Sequence, residues 1–192
     1  MISIPASLNL GPFFSGPDSE LWFIGERELN LGASPSRTYE RVLGKIAADG
    51  HITQYPFPKS AGIPTSAGGL QSLCVGPDKA VWYTVPDPVG ADLTPLKGRI
   101  VRVSLSGQAQ EFPVLCARNS ITAVGDGALW YSEYVGPIAD PDSPSPPRKG
   151  FIGRMTTAGV TSDIPIDPHP SVDRVVAASD GAIWFTVGRD EV

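Results

Sequence analysis

The stretch Gly76-Pro-Asp-Lys-Ala-Val-Trp82-Tyr-Thr84 decides the fold, because the chain repeats it in a constant phase. In each copy a short apolar segment precedes a turn that contains Asp, and a second apolar segment carries a tryptophan. Alternating apolar and polar residues are typical of half-buried strands, so each copy predicts a strand, a turn and a strand. The other copies are Gly16-Pro-Asp-Ser-Glu-Leu-Trp22-Phe, Gly125-Asp-Gly-Ala-Leu-Trp130-Tyr-Ser-Glu and Ser179-Asp-Gly-Ala-Ile-Trp184-Phe-Thr, and together they hold all four tryptophans.

A second pattern follows three of these tryptophans. It consists of an apolar segment, a turn with Gly, and a second segment that stops at a proline, which predicts a hairpin. We take Gly44, Gly98 and Gly153 as equivalent positions at its start, which lie 22, 16 and 23 residues after their tryptophans. The three hairpins span Leu43–Pro56, Lys97–Pro113 and Ile152–Pro165.

Each complete unit therefore holds four short antiparallel strands. Such a unit, repeated at about 40–50 residues, predicts a β-propeller blade. A blade cannot bury its faces alone, so we expect the tryptophans to pack between blades. A β-sandwich, the alternative all-β fold, would not explain the constant phase of the tryptophan motif. The fold class expected is an all-β, incomplete propeller of about three and a half blades in one domain, at 6–58, 70–115, 119–167 and 173–192.

The fourth unit carries its first two strands before the sequence stops at Val192. A ring closes when the terminal strands share one blade, and here that closure lacks a strand. Two interpretations remain open: the chain is a fragment, or two copies combine into a larger ring. Open apolar edges disfavour a monomer, so a homo-oligomer that completes the ring is one expected partner.

Composition narrows the function classes. With 192 residues and a net charge of −5, the chain lacks the basic surface of a nucleic-acid binder. It has no apolar run of about 18 residues, so we expect no membrane partner. The N-terminal residues do not resemble a signal peptide, which predicts a cytoplasmic protein, or a secreted one if an upstream signal is missing. Cys74 is expected to be a buried free thiol, with a bridge to Cys116 as the alternative.

The signature Gly-Pro-Asp-x-x-Leu-Trp-Phe, followed by Ile-Gly-Arg and a proline-ended strand, resembles the virginiamycin B lyase (streptogramin lyase) family over essentially the whole chain. The resemblance implies a seven-bladed propeller and a C–O lyase that opens cyclic lactone peptides by elimination, with Mg²⁺ as cofactor. It also implies a general base, a His eleven residues before a blade tryptophan, and a supporting Glu three residues after it.

Counting from each tryptophan locates these two positions, and no unit has both residues. Asn119 cannot accept a proton near neutral pH, and Asp173 could act as a base only with a raised pKa. His51 is expected to be a solvated turn residue. The His position falls on Gly11, Gln71, Asn119 and Asp173, and the Glu position on Gly25, Val85, Glu133 and Val187. The candidate catalytic residues are Glu133, Asp173 and His169, the ligand-face candidates are Gln71, Arg118, Asn119 and Tyr134, and no metal ligands are assigned.

Three long segments, Gly25–Arg41, Val85–Lys97 and Tyr134–Lys149, are expected to lie on one face around the central channel. They are either solvated surface loops or a rim that binds a small-molecule or peptide ligand. Three functions remain open. They are a lyase that needs its missing His from another blade or subunit, a non-catalytic binding propeller, and an assembly module.

Overall fold

The computed structural model describes residues 4–16, 18, 20–28, 39–56, 72–86, 98–115, 117–135, 149–167 and 171–187. The chain divides into two compact units, Met1–Ala67 and Gly68–Val192. Across the described ranges, no helix is long and apolar enough to cross a membrane. The strands are β1 Leu8–Ser15, β2 Leu21–Glu28, β3 Tyr39–Ile46, β4 Ile52–Pro56, β5 Leu73–Val75, β6 Val81–Pro86, β7 Gly98–Val103, β8 Ala109–Val114, β9 Ala117–Ala123, β10 Ala128–Val135, β11 Lys149–Thr156, β12 Thr161–Pro165, β13 Val172–Ala177 and β14 Ile183–Val187.

The strands form antiparallel sheets in which neighbours in space are neighbours in the chain. The first unit holds sheet 1, with strand order β1-β2-β3-β4. The second unit holds sheet 2 (β5-β6-β7-β8), sheet 3 (β9-β10-β11-β12) and the two-stranded sheet 4 (β13-β14). The expectation of an all-β chain of antiparallel sheets is confirmed.

The turn between the first and second strands has the same backbone in sheets 2, 3 and 4. Its last residue has a positive φ, of 59° at Lys79, 77° at Gly127 and 85° at Gly181. In sheet 2 the turn is closed by hydrogen bonds from Lys79 N to Gly76 O (3.0 Å) and from Gly76 N to Ala80 O (2.8 Å). Because the left-handed region is costly for a residue with a Cβ, Lys79 is a strained member of this set.

A repeated contact explains the Asp that precedes each tryptophan. In sheets 1, 2 and 3 the indole Nε1–H donates to the carboxylate of the turn Asp, which also accepts a hydrogen bond from a cation on the third strand. That cation lies over the indole ring, since its residue is directly opposite the tryptophan in the register. The sets are Asp18, Trp22 and Lys45 (2.8 and 3.1 Å), Asp78, Trp82 and Arg102 (2.9 and 2.5 Å), and Asp126, Trp130 and Arg154 (3.4 and 3.0 Å).

Side-chain alternation gives every sheet a Trp face, which carries the tryptophan of its second strand, and an opposite face. In the second unit, the Trp face of sheet 2 packs against the opposite face of sheet 3. The Trp face of sheet 3 packs against sheet 4 through Ile152, Val172 and Val175, with Trp130 and Ile183 at the border. The cluster between sheets 2 and 3 comprises Ala80, Trp82, Ile100, Phe112, Ile121, Leu129, Tyr131 and Met155.

The exposure of each tryptophan in the second unit follows from what covers its face. Trp82, under the four strands of sheet 3, is 0% exposed. Trp130, under the two strands of sheet 4, is partly exposed. Trp184, on the Trp face of sheet 4, is 66% exposed. The expected packing of tryptophan between sheets therefore holds for Trp82 and is absent at Trp184 within the described residues.

Two serines join the first strands of neighbouring sheets. Ser72 Oγ accepts a hydrogen bond from Ile121 N at 3.0 Å. Ser120, at the same position of the next repeat, accepts from Val175 N at 3.0 Å and donates to Val175 O at 2.9 Å. The first strands of sheets 2, 3 and 4 therefore lie side by side.

The register corrects one equivalence expected from the sequence. Gly44 pairs with Phe23 and Gly153 pairs with Tyr131, but Val101, not Gly98, pairs with Tyr83. A Cβ at Gly153 would lie 2.2 Å from the Tyr131 ring, so that glycine is needed for space. The expectation at Gly98 was wrong because the sequence offers two arginines, Arg99 and Arg102, as the equivalent of Arg154. The structure places Arg102 opposite Trp82, so the residue before it, Val101, takes the glycine position.

Candidate functional site

The two ends of each four-stranded sheet differ in the connections that leave them. The turns after the first and third strands lie at one end, so the connections after the second and fourth strands lie at the other, here called the loop end. At the loop end the first strand bulges in sheets 1, 3 and 4. The residues without a cross-strand partner there are Gly11–Pro12, Asn119–Ser120 and Asp173.

These bulges coincide with the positions that the spacing from tryptophan assigned to a general base, namely Gly11, Asn119 and Asp173. A bulge bends its strand and re-aims a side chain, and bulges are frequent beside functional sites. Nothing in the sequence pattern predicted them, because an extra residue in one strand is visible only against its partner strand. Gln71 and His169 lie outside the described residues.

Glu133 lies on β10 at the loop end of sheet 3 and is 1% exposed. Its cross-strand partners are Ala117 on β9 and Phe151 on β11. Burial and the nearby charge of Glu133 both raise the pKa of the Tyr131 phenol above its usual range. A carboxylate this deeply buried is costly unless polar groups surround it, which marks Glu133 as the most unusual side chain of the predicted set.

The backbone places three further candidates beside Glu133. Arg118 pairs with Ser132, the residue before Glu133, and Asn119 follows in the bulge. Tyr134 comes directly after Glu133 and pairs with Gly150. Asp173, in the bulge of the neighbouring sheet 4, is partly buried. The fold thus gathers four of the predicted residues on β9 and β10 and the fifth on β13, which packs against β9.

The buried polar side chains of the described residues lie on sheets 2 and 3. Thr84 and Ser132 each lie two residues after a tryptophan, Ser120 lies in a bulge, and Glu133 follows Ser132; their exposures are 0%, 0%, 7% and 1%. Ser120 is satisfied by Val175, whereas Thr84 Oγ1 has no hydrogen-bond partner among the described residues. We call these four residues the polar cluster.

Sequence reasoning identified Glu133 but missed the three hydroxyls of the polar cluster. A signal for two of them was present, since Thr84 and Ser132 occupy the same place in Trp-Tyr-Thr and Trp-Tyr-Ser. An unsatisfied buried hydroxyl lowers the free energy of unfolding by on the order of 1–3 kcal/mol, so a hydrogen-bond partner for the Thr84 hydroxyl would stabilise the fold.

The resemblance implies a magnesium ion, which takes oxygen ligands. Within the described ranges, no three His, Cys, Asp or Glu side chains group as metal ligands. Mg²⁺ requires an octahedral shell of oxygen ligands, and Glu133 contributes a single carboxylate.

The remaining reactive side chains lie elsewhere. His51 is exposed in the β3–β4 turn, as expected, where its backbone N–H donates to the Asp49 carboxylate at 2.9 Å. Cys74 is a free thiol, partly rather than fully buried against the cluster between sheets 2 and 3. Burial raises its pKa to about 12, which makes it a poor nucleophile. Cys116 lies outside the described residues.

Sheets 2 and 3 thus hold one buried carboxylate and three buried hydroxyls. Ser120 is hydrogen-bonded to Val175, while Ser132 and Glu133 are consecutive on β10 and point to opposite faces of sheet 3. Comparison with protein-family models, with curated proteins and with solved structures finds no match for this chain.

Proposed function

We propose that this chain is a β-propeller of streptogramin-lyase-like blades that binds a small-molecule or peptide ligand at its loop end without the family's elimination chemistry. Thr84 of the polar cluster carries this proposal, because its buried hydroxyl has no hydrogen-bond partner among the described residues, and buried polar groups are retained when they are hydrogen-bonded within the fold or to a ligand. A carboxylate accepts hydrogen bonds, so the ligand that fits Glu133 presents amide, amine or hydroxyl donors.

The propeller part of the proposal is supported by how the second unit packs. Sheets 2, 3 and 4 stack face to face, and the Trp faces of sheets 2 and 3 are each covered by the next sheet along the chain. Their first strands lie side by side through the bonds of Ser72 and Ser120. First strands that adjoin in this way are what a central channel lined by the innermost strand of each blade requires.

The absence of elimination chemistry rests on the base position. In sheet 3, where the supporting carboxylate Glu133 is present, the position is Asn119, and an amide does not accept a proton near neutral pH. Sheet 4 offers Asp173 in the equivalent bulge, but the Glu position there is Val187. Neither sheet 3 nor sheet 4 therefore pairs a base with a supporting Glu among the described residues, which supports binding over elimination.

The test is a thermal-shift screen of cyclic and linear peptides and small polar molecules. A ligand at about 100 times its Kd stabilises the folded state by roughly 2.7 kcal/mol, which for this length raises the unfolding midpoint by about 5–10 °C. A true ligand should stabilise the wild type and Glu111→Gln, a matched change on the outer strand β8, and have little effect on Glu133→Gln. A ligand that shifts all three equally would place binding elsewhere and contradict the proposal.

A lyase is the second candidate, favoured by the position of Glu133 three residues after Trp130 and by the bulge at the base position. Incubation with a type B streptogramin and magnesium, followed by mass spectrometry for the linear product, separates the two. Turnover by this chain alone would overturn the non-catalytic proposal.

A further inference from the structure

The Trp face of sheet 4 is exposed, whereas the equivalent face of sheet 2 is buried under sheet 3. Val176 and Trp184, which are cross-strand partners on its Trp face, are 54% and 66% exposed. Their counterparts on sheet 2 are Cys74 and Trp82, which lie under sheet 3. An aromatic surface of this kind, which the repeat buries elsewhere, marks a contact site.

Sheet 1 exposes part of the complementary surface, while Phe23 and Ile46 on the same face are buried. Phe13 and Leu21, on its opposite face, are 49% and 44% exposed. Their counterparts on sheet 3 are Ile121 and Leu129, which are 4% and 0% exposed because the Trp face of sheet 2 covers them. One molecule therefore presents both sides of the packing that joins sheets 2 and 3.

We infer that the chain associates head to tail: the Trp face of sheet 4 in one copy packs on the opposite face of sheet 1 in a second copy. The contact continues the sheet 2–sheet 3 packing across two molecules, so its geometry is already realised within the chain. The two surfaces differ, so the interface is heterologous, and repeated contacts either close into a ring or extend as an open chain.

Complementary blocking variants test this arrangement. Trp184→Glu blocks the Trp face of sheet 4, here called the head, and Phe13→Glu blocks the opposite face of sheet 1, here called the tail. Each variant leaves the other surface intact. Analytical ultracentrifugation over about 1–100 µM should show association of the wild type and monomers for each variant alone. An equimolar mixture of the two variants should form a dimer and nothing larger, since one intact head meets one intact tail. Loss of a central tryptophan should weaken the contact roughly 30-fold.

Matched controls separate this contact from general stickiness or misfolding. Val160→Glu changes an apolar residue of similar exposure, 67%, in the β11–β12 turn and should associate like the wild type. Circular dichroism must show each variant folded, and Leu21→Glu replaces Phe13→Glu if that variant is not. A wild type that stays monomeric would overturn the inference, leaving a further repeat of a longer chain to cover Trp184. Variants that associate unchanged, or a mixture that stays monomeric, would overturn it equally.

Discussion

Removal of the turn Asp should destabilise the protein by an amount that depends on how well the tryptophan of that repeat is covered. Asp78→Ala removes the acceptor of the buried Trp82 Nε1–H (2.9 Å) and the partner of Arg102 (2.5 Å). A buried donor left without an acceptor costs about 1–3 kcal/mol. The half-buried ion pair with Arg102 adds about 0.2–1 kcal/mol, and the turn bond from Ala80 N (3.3 Å) adds about 0.5 kcal/mol, so the expected loss is about 2–4.5 kcal/mol.

The same substitution in the next two repeats provides matched comparisons. Asp126 accepts a longer bond, 3.4 Å, from the partly exposed Trp130, and its pair with Arg154 is more exposed, so Asp126→Ala should cost about 1 kcal/mol. In the fourth repeat the indole of Trp184 is 66% exposed, so water can hydrate it whether or not Asp180 is present. What Asp180→Ala then loses is the turn bond to Ala182 N (2.9 Å), about 0.5 kcal/mol.

Thermal unfolding followed by far-UV circular dichroism measures this series. For a chain of this length, 1 kcal/mol shifts the midpoint by about 2–4 °C, so Asp78→Ala should lower it by about 5–15 °C and Asp180→Ala by about 2 °C or less. Equal losses at the three positions, or the largest loss at Asp180, would refute the reasoning that burial of the indole sets the cost.

Three further predictions concern the turns and the packing of the sheets. Burial disfavours ionised Asp18, but hydrogen bonds from Trp22 and Lys45 outweigh it and lower its pKa from 3.8 to about 2. A depressed folded pKa stabilises above the unfolded value, so stability should fall as the pH drops from about 4 to 2, and less steeply in Asp18→Asn. Lys79→Gly should relieve the left-handed backbone and add about 0.5–1 kcal/mol in denaturant titrations; an unchanged midpoint would argue against strain there. Gly153→Ala, whose Cβ would lie 2.2 Å from the Tyr131 ring, should cost at least about 1–3 kcal/mol, whereas the control Gly125→Ala meets nothing within 4 Å and should be neutral, so similar midpoints would contradict the packing argument.

Part of the candidate site could be predicted from the sequence. Glu133 was singled out because the family that the chain resembles carries a Glu three residues after a blade tryptophan, and Glu133 fills that position after Trp130. The bulges at Asn119 and Asp173 could not be found in this way, since they depend on how two strands pair. The burial of Thr84 and Ser132 also depends on a neighbouring sheet formed by a distant part of the chain.

Side-chain alternation and turn chemistry are local properties, so the all-β class, the strands and their turns could be predicted from the repeats alone. The tertiary structure decided that Val101, not Gly98, lies opposite Tyr83. It also decided that Trp82 is buried while Trp184 is exposed, although both have the same local sequence context. The physical reason is that register and burial depend on the partner strand and on the covering sheet, and neither is encoded within a single repeat.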